Sequence, residues 1–176
     1  MIMPRGQQLL LPARSLFIWA SLLVALAANM LLNMGPGGRA AWLPDLLALG
    51  IVFWTIHQPQ RIGVTVAFVL GLVMDVHQGA LLGQHAIAYT VLSFLAIGIH
   101  RRLLWFSVPS QAAQMFPLFL VGHALSLCVR LLAGADFPGW PIVLAPAIEA
   151  LLWPVISVLL LMPQRRAPDP DANRPL

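Results

Sequence analysis

The sequence predicts an all-α fold, a polytopic transmembrane bundle of about six helices. Three observations predict it. Hydrophobic residues make up 60% of the 176 and charged residues only 9%, against roughly 25% charged in a soluble domain; the mean hydropathy is +0.85. Apolar runs long enough to cross a bilayer recur along the chain. Arginines punctuate those runs with a consistent bias to one side.

The spans read, in order, Ser15 to Met34, Ala41 to His57, Ile62 to Val76, Ala80 to Ile99, Ala112 to Ala133 and Trp140 to Met162. A spanning helix needs about 20 residues, within about 17 to 25. The second and third are marginal alone and can be drawn as a helical hairpin. Five spans remain drawable if one is re-entrant, but charge favours six. With six, Arg5, Arg14, Arg61, Arg101, Arg102, Arg165, Arg166 and Arg174 share one side, and the other has Arg39 plus Arg130 just inside the fifth span. That is the positive-inside pattern, with both termini cytoplasmic.

The chain divides accordingly into a cytoplasmic segment (1–14), a transmembrane domain (15–162) and a Pro-rich tail (163–176) expected to be disordered. Ala25-Leu26-Ala27 imitates a signal-peptide cleavage site. The apolar stretch continues through Met30, Leu31 and Leu32, so an uncleaved first helix is expected. The pI near 11.1 does not indicate nucleic acid, because the arginines form no contiguous footprint. The lone Cys128 excludes an intramolecular disulfide and a Cys-rich metal site; a small buried side chain is its expected role.

His57-Gln58-Pro59-Gln60-Arg61 reads as a tight turn, because Pro59 lacks an N–H and turns Gln58 away from helix. In the third span Gly63, Ala67, Gly71 and Asp75 recur every four residues, and Gly79 and Gly83 continue the spacing. Small residues on one face let a neighbouring backbone approach closely, so this span is expected to be central and screened from lipid. A ligand-lining role is the sharper alternative.

Ionisable residues inside apolar runs are expensive and should face other helices, water or headgroups. Here they are Asp45, Asp75, His85, His123, Arg130 and Glu149. Pro44-Asp45 opens the second span, with the carboxylate favoured at the positive helix end. Asp45 and Asp75 fall near one depth at the outer face. Three readings stand for them: headgroup and helix-end contacts, a polar site where a partner docks, or a cation site, for which few other ligands lie nearby in sequence. Glu149 needs a partner near mid-span, and Arg130 is the candidate. His85, Tyr89 and Ser93 share a side of the fourth span, and His123, Ser126 and Arg130 one of the fifth. Asn29 and Asn33 read as polar packing contacts. His85, His123 and Glu149 have no metal-site spacing, so interhelical hydrogen bonds are the expectation and no metal or cofactor is implied. Trp42, Trp54, Trp105, Trp140 and Trp153 fit an aromatic belt.

The stretch from Pro44 to Gly83 resembles the MreD family of bacterial rod-shape-determining proteins. The matching positions are Pro44-Asp45, the aromatic run ending in Trp54, Pro59, Gly63, Gly71-Leu72 with Asp75, and Gly79 with Leu82-Gly83. The resemblance implies a non-catalytic membrane scaffold of cell-wall elongation and peptidoglycan synthesis that binds the MreC protein. Through MreC it implies links to MreB filaments, the elongation glycosyltransferase and the class B penicillin-binding transpeptidase. It also implies a fold like the substrate-binding subunits of energy-coupling-factor transporters, so a small-molecule binding or transport subunit is the alternative. A lipid-directed enzyme is a third reading, with Asp45 and Asp75 its only acid pair and no phosphate-binding cluster facing them.

Overall fold

The computed structural model describes residues 13–34 and 40–164. Expectations that fall on Arg5, Arg39, Arg165, Arg166, Arg174 and the tail beyond Gln164 lie outside the described residues. Six α-helices follow one another: α1 Ser15–Asn33, α2 Leu46–His57, α3 Val64–Gln78, α4 Gln84–Leu103, α5 Val108–Leu132 and α6 Leu144–Leu161. A 3₁₀ turn, Trp140–Val143, leads into α6, and another, Met162–Gln164, follows it. No strand occurs among the described residues. The fold is the all-helical membrane bundle that the hydropathy predicts.

Four segments are long and apolar enough to cross a membrane by themselves: Ser15–Asn33, Gln84–Leu103, Val108–Leu132 and Trp140–Gln164. The other two are short. The 12 residues of α2 span about 18 Å at 1.5 Å per residue, well under a hydrocarbon core of about 30 Å. Its start is later than the hydropathy suggests, because Asp45 is the N-cap and Pro44 lies outside the helix.

The central helix is α2, not α3. Every residue from Leu47 to Ile56 is buried, and α2 packs against α1, α4 and α6. α3 is buried on one side only, through Ala67, Gly71, Met74 and Asp75, while Phe68, Val69, Val73 and Val76 face outward. The reason is geometric. A one-sided stripe of small residues specifies one-sided packing, whereas a helix apolar all round, such as Leu46–Ile56, can be enclosed on every side.

The α3 stripe also divides by role. A Cβ on Gly71 would lie 2.4 Å from the Ala86 Cα and 2.6 Å from the Ala86 nitrogen. These are backbone atoms of α4 that cannot rotate away, so this glycine sets the α3–α4 spacing. Gly63 is the N-cap of α3, and a Cβ there would meet nothing closer than 3.6 Å. Gly79 (φ 56°) ends α3 and Gly83 (φ 105°) precedes α4, both in left-handed conformations that suit glycine.

Two tryptophans leave the expected belt. Trp54 and Trp153 are fully buried, and their indoles donate to the Ser21 Oγ at 2.8 Å and the Gln111 Oε1 at 3.2 Å. Trp42, Trp105 and Trp140 are exposed. Cys128 is exposed too, on the outer surface of α5 rather than in the core. Lipid-facing and protein-facing apolar positions carry the same composition, so hydropathy alone does not separate them.

Candidate functional site

Helix ends are where a membrane bundle needs side chains. The first four N–H groups of every helix lack intrahelical partners, and in hydrocarbon an unmet group is costly. At the end of the bundle where α1, α3 and α5 finish and α2, α4 and α6 begin, two carboxylate centres meet this need.

The first centre is Asp75. Its side chain is fully buried. It accepts from the Gly83 N–H at 2.8 Å, the His85 N–H at 2.7 Å and the Ala86 N–H at 3.4 Å. The His85 ring closes the set, its Nδ1 2.8 Å from the same carboxylate. Gly83, the N-cap of α4, has no side chain to cap with, so a carboxylate from α3 caps the next helix in its place. Negative charge there also complements the α4 dipole. The headgroup-facing reading of Asp75 is therefore corrected: an aspartate one turn before a Gly79…Gly83 turn is folded back onto the following helix.

The second centre gathers five helices, α4 again among them. Asp45 caps α2 through the Ala48 N–H at 2.9 Å. The same Oδ1 accepts from the Asn29 amide of α1 at 3.0 Å, and Asn29 accepts in turn from the Leu46 N–H at 3.2 Å. The Tyr89 hydroxyl of α4 donates to the Asp45 Oδ2. The Asp45 N–H donates to the Glu149 Oε1 of α6 at 2.7 Å, and the His123 Nε2 of α5 lies 2.7 Å from that oxygen. The His85 and Tyr89 rings, 5.9 Å apart edge to face, link the two centres.

Glu149 thus meets His123, not Arg130. Arg130 lies about two turns further along α5 and is exposed. His123 presents a compact donor at the buried depth. Sequence reasoning marked each ionisable group but not its partner. Interhelical pairing depends on how each helix is rotated, and a single sequence does not record that. Asn29 and Tyr89 carry more of the site than their polarity alone announced.

The second centre borders a cavity of about 140 Å³. Its wall includes Asn33, Asp45, Tyr89, His123, Arg130 and Glu149. Among the described residues, no group of three or more His, Cys, Asp or Glu side chains is placed to hold a metal ion. Chemically the arrangement can fix helices to one another.

Comparison with known proteins adds the family. A family model described as rod shape-determining protein MreD matches residues 13–162. The chain is 23% identical over 155 residues to the rod shape-determining protein MreD of Haemophilus influenzae, covering 87% of this chain and 96% of that protein. None of the solved structures matches the chain.

Proposed function

The chain belongs to the MreD family of rod shape-determining proteins, and we propose that it is a non-catalytic integral-membrane scaffold of the bacterial cell-wall elongation machinery, binding a membrane-anchored MreC partner. The observation that carries this reading is the family match over residues 13–162, with the relative aligned almost end to end. The fold supports it: almost all of the described residues lie in helices or in the short turns between them. Contacts to partners would then be made largely within the membrane or at its surfaces. The location we assign is the inner membrane, with both termini cytoplasmic. Arg14, Arg61, Arg101 and Arg102 lie at the same end of the bundle, as the positive-inside rule asks for a cytoplasmic face.

Ala67, Gly71 and Asp75 are buried. Their contribution to partner binding is through the shape they give the α3–α4 pair, with Pro44, Asp45, Pro59, Gly63, Gly79 and Gly83 fixing the ends of α2, α3 and α4. Through MreC the scaffold would reach MreB filaments, the elongation glycosyltransferase and the class B penicillin-binding transpeptidase.

Depletion in a rod-shaped host tests the reading. Cells are expected to round up, and the tagged protein is expected to recover MreC from solubilised membranes. Retained rod shape together with no recovery of MreC would overturn it. Reporter fusions at Met1 and Leu176 test the orientation, and a periplasmic signal at either end refutes it.

A further inference from the structure

The rim at this end of the bundle is uneven. Interhelical hydrogen bonds put Asn29, Asp45, Tyr89, His123 and Glu149 at one depth, and Met74 lies beside the Asn29 amide. From that depth α3 continues from Met74 to Gln78, and α4 begins at Gln84, one and a half turns before Tyr89. α5 continues from His123 to Leu132. At 1.5 Å per residue the α3–α4 wall rises about 6–8 Å and the α5 wall about 14 Å. α4 packs against both α3 and α5, so a low wall adjoins a high one.

The outside of the low wall suits acyl chains. Leu81 and Leu82 of the α3–α4 turn are exposed. Gly79 and Ala80 donate to the Val76 and Asp75 carbonyls, and Gly83, His85 and Ala86 to the Asp75 carboxylate. Amides met internally are what backbone at membrane depth requires. Next to the turn, Val69, Leu72, Val73 and Val76 line an apolar groove on the outward side of α3. Inside the rim the chemistry changes. Gln78, Gln84, Ser126 and Arg130 line the cavity of about 140 Å³ and take no part in the two carboxylate centres. Gln78, Gln84 and Ser126 are half-buried and Arg130 is exposed, so each offers surface to a guest. Arg130 stands about 10 Å above His123 along α5, higher than the low wall. No carboxylate among the described residues is in salt-bridge contact with it.

We propose that an anionic glycerophospholipid straddles the low wall. One acyl chain lies in the α3 groove, the phosphate meets the Arg130 guanidinium, and the head-group hydroxyls lie among Gln78, Gln84 and Ser126. The groove names the source. A free head group needs only the cavity, whereas an apolar groove and a polar cavity that meet at one turn fit a molecule with both parts. The phosphate follows from Arg130, whose planar fork matches phosphate oxygens. Amides and a hydroxyl both donate and accept, which suits neutral hydroxyls. Asp45 and Glu149 lie at the depth of His123, about 10 Å below the guanidinium, clear of the phosphate. The site goes beyond the scaffold reading and does not depend on it.

The test uses the full-length protein in nanodiscs of equal phosphatidylglycerol and phosphatidylcholine with matched acyl chains, read by native mass spectrometry of the lipids that stay bound on release. Arg130→Gln removes the guanidinium from an exposed position. Val73→Trp fills the groove from the outward side of α3. Arg101→Ala combined with Arg102→Ala removes two exposed arginines from the opposite end and controls for general attraction of anionic lipid. Wild type is expected to hold phosphatidylglycerol in preference to phosphatidylcholine. Arg130→Gln and Val73→Trp are each expected to weaken that preference about tenfold, as the loss of a charged hydrogen bond or of a buried chain contact implies, while the double variant keeps it. Absence of a preference in wild type overturns the proposal. So does a preference that survives Arg130→Gln or Val73→Trp, or one that falls as far in the double variant. A second arm titrates delipidated protein with glycerol phosphate; binding that Val73→Trp leaves unchanged, without a lipid preference, overturns lipid as the occupant. If Val73→Trp does not fold, Val69→Trp, exposed in the same groove, decides by the same criteria.

Discussion

Asp75 and Glu149 are both fully buried carboxylates at one end of one bundle, and they are held differently. Asp75 is saturated by four donors, the Gly83, His85 and Ala86 amides and the His85 ring. All come from the segment that immediately follows its own helix. Glu149 draws its donors from α2 and α5 and keeps one oxygen unfilled among the described residues. The difference teaches that two carboxylates equally buried at one end of a bundle can be held by donors near in sequence or by donors far from it, and that burial does not reveal which.

Substitutions can break or sharpen that contrast. The largest effect is expected beside Asp75. Gly71→Leu forces a side chain into the Ala86 backbone, which has no rotamer to give, so the cost should exceed the ~1–3 kcal/mol of ordinary overpacking. Loss of the protein from the membrane fraction and failure to restore rod shape are the expected outcomes; normal abundance would mean that α3 and α4 do not meet as described. Asp75→Ala comes next. It uncaps α4 and strands the His85 ring, at about 3 kcal/mol, measured as a lowered thermal midpoint in detergent and reduced abundance. A mutant of unchanged abundance that merely lost MreC would restore the docking role at the expense of the structural one.

Tyr89→Phe should cost less, about 1–2 kcal/mol, because it removes one donor from the Oδ2 of a half-buried Asp45 while the Ala48 and Asn29 donors keep Oδ1 paired. The same thermal assay reads it, and a loss as large as that of Asp75→Ala would show the two centres to be one cooperative unit. Glu149→Gln should have the smallest effect on stability, under about 1 kcal/mol, since an amide oxygen still accepts from the Asp45 N–H. A collapse on the scale of Gly71→Leu would erase the contrast with Asp75 and make Glu149 a structural group as well.

How much of this was legible from sequence follows from what each signal encodes. The helices show in the hydropathy because apolar length is a one-dimensional property. The break at Pro59 shows because proline acts locally; Gly63 reads as part of the packing stripe and is instead the N-cap of α3. Every ionisable group of the site stood out, since each interrupts an apolar run. The centrality of α2 did not show, because Leu46–Ile56 reads the same against lipid as against α1, α4 and α6. The choice of His123 over Arg130 by Glu149 did not show either. Both lie on one face of α5, seven residues apart, and only the assembled depth of α6 decides between them. The Asp75 cap was partly visible: a carboxylate just before a glycine-bounded turn offers the acceptor that a glycine N-cap on the next helix lacks.

The enclosure of α2 carries a consequence for biogenesis. A helix of 12 residues is too short to partition stably into a bilayer when it first leaves the ribosome. Its own sequence secures neither depth nor orientation, and the flanking α1 supplies only one wall. The walls from α4 and α6 are synthesised tens of residues later, so the enclosure of α2 is complete only once α6 is in place. Premature termination or slow insertion of that final segment should expose the most apolar part of the chain, however sound the preceding sequence.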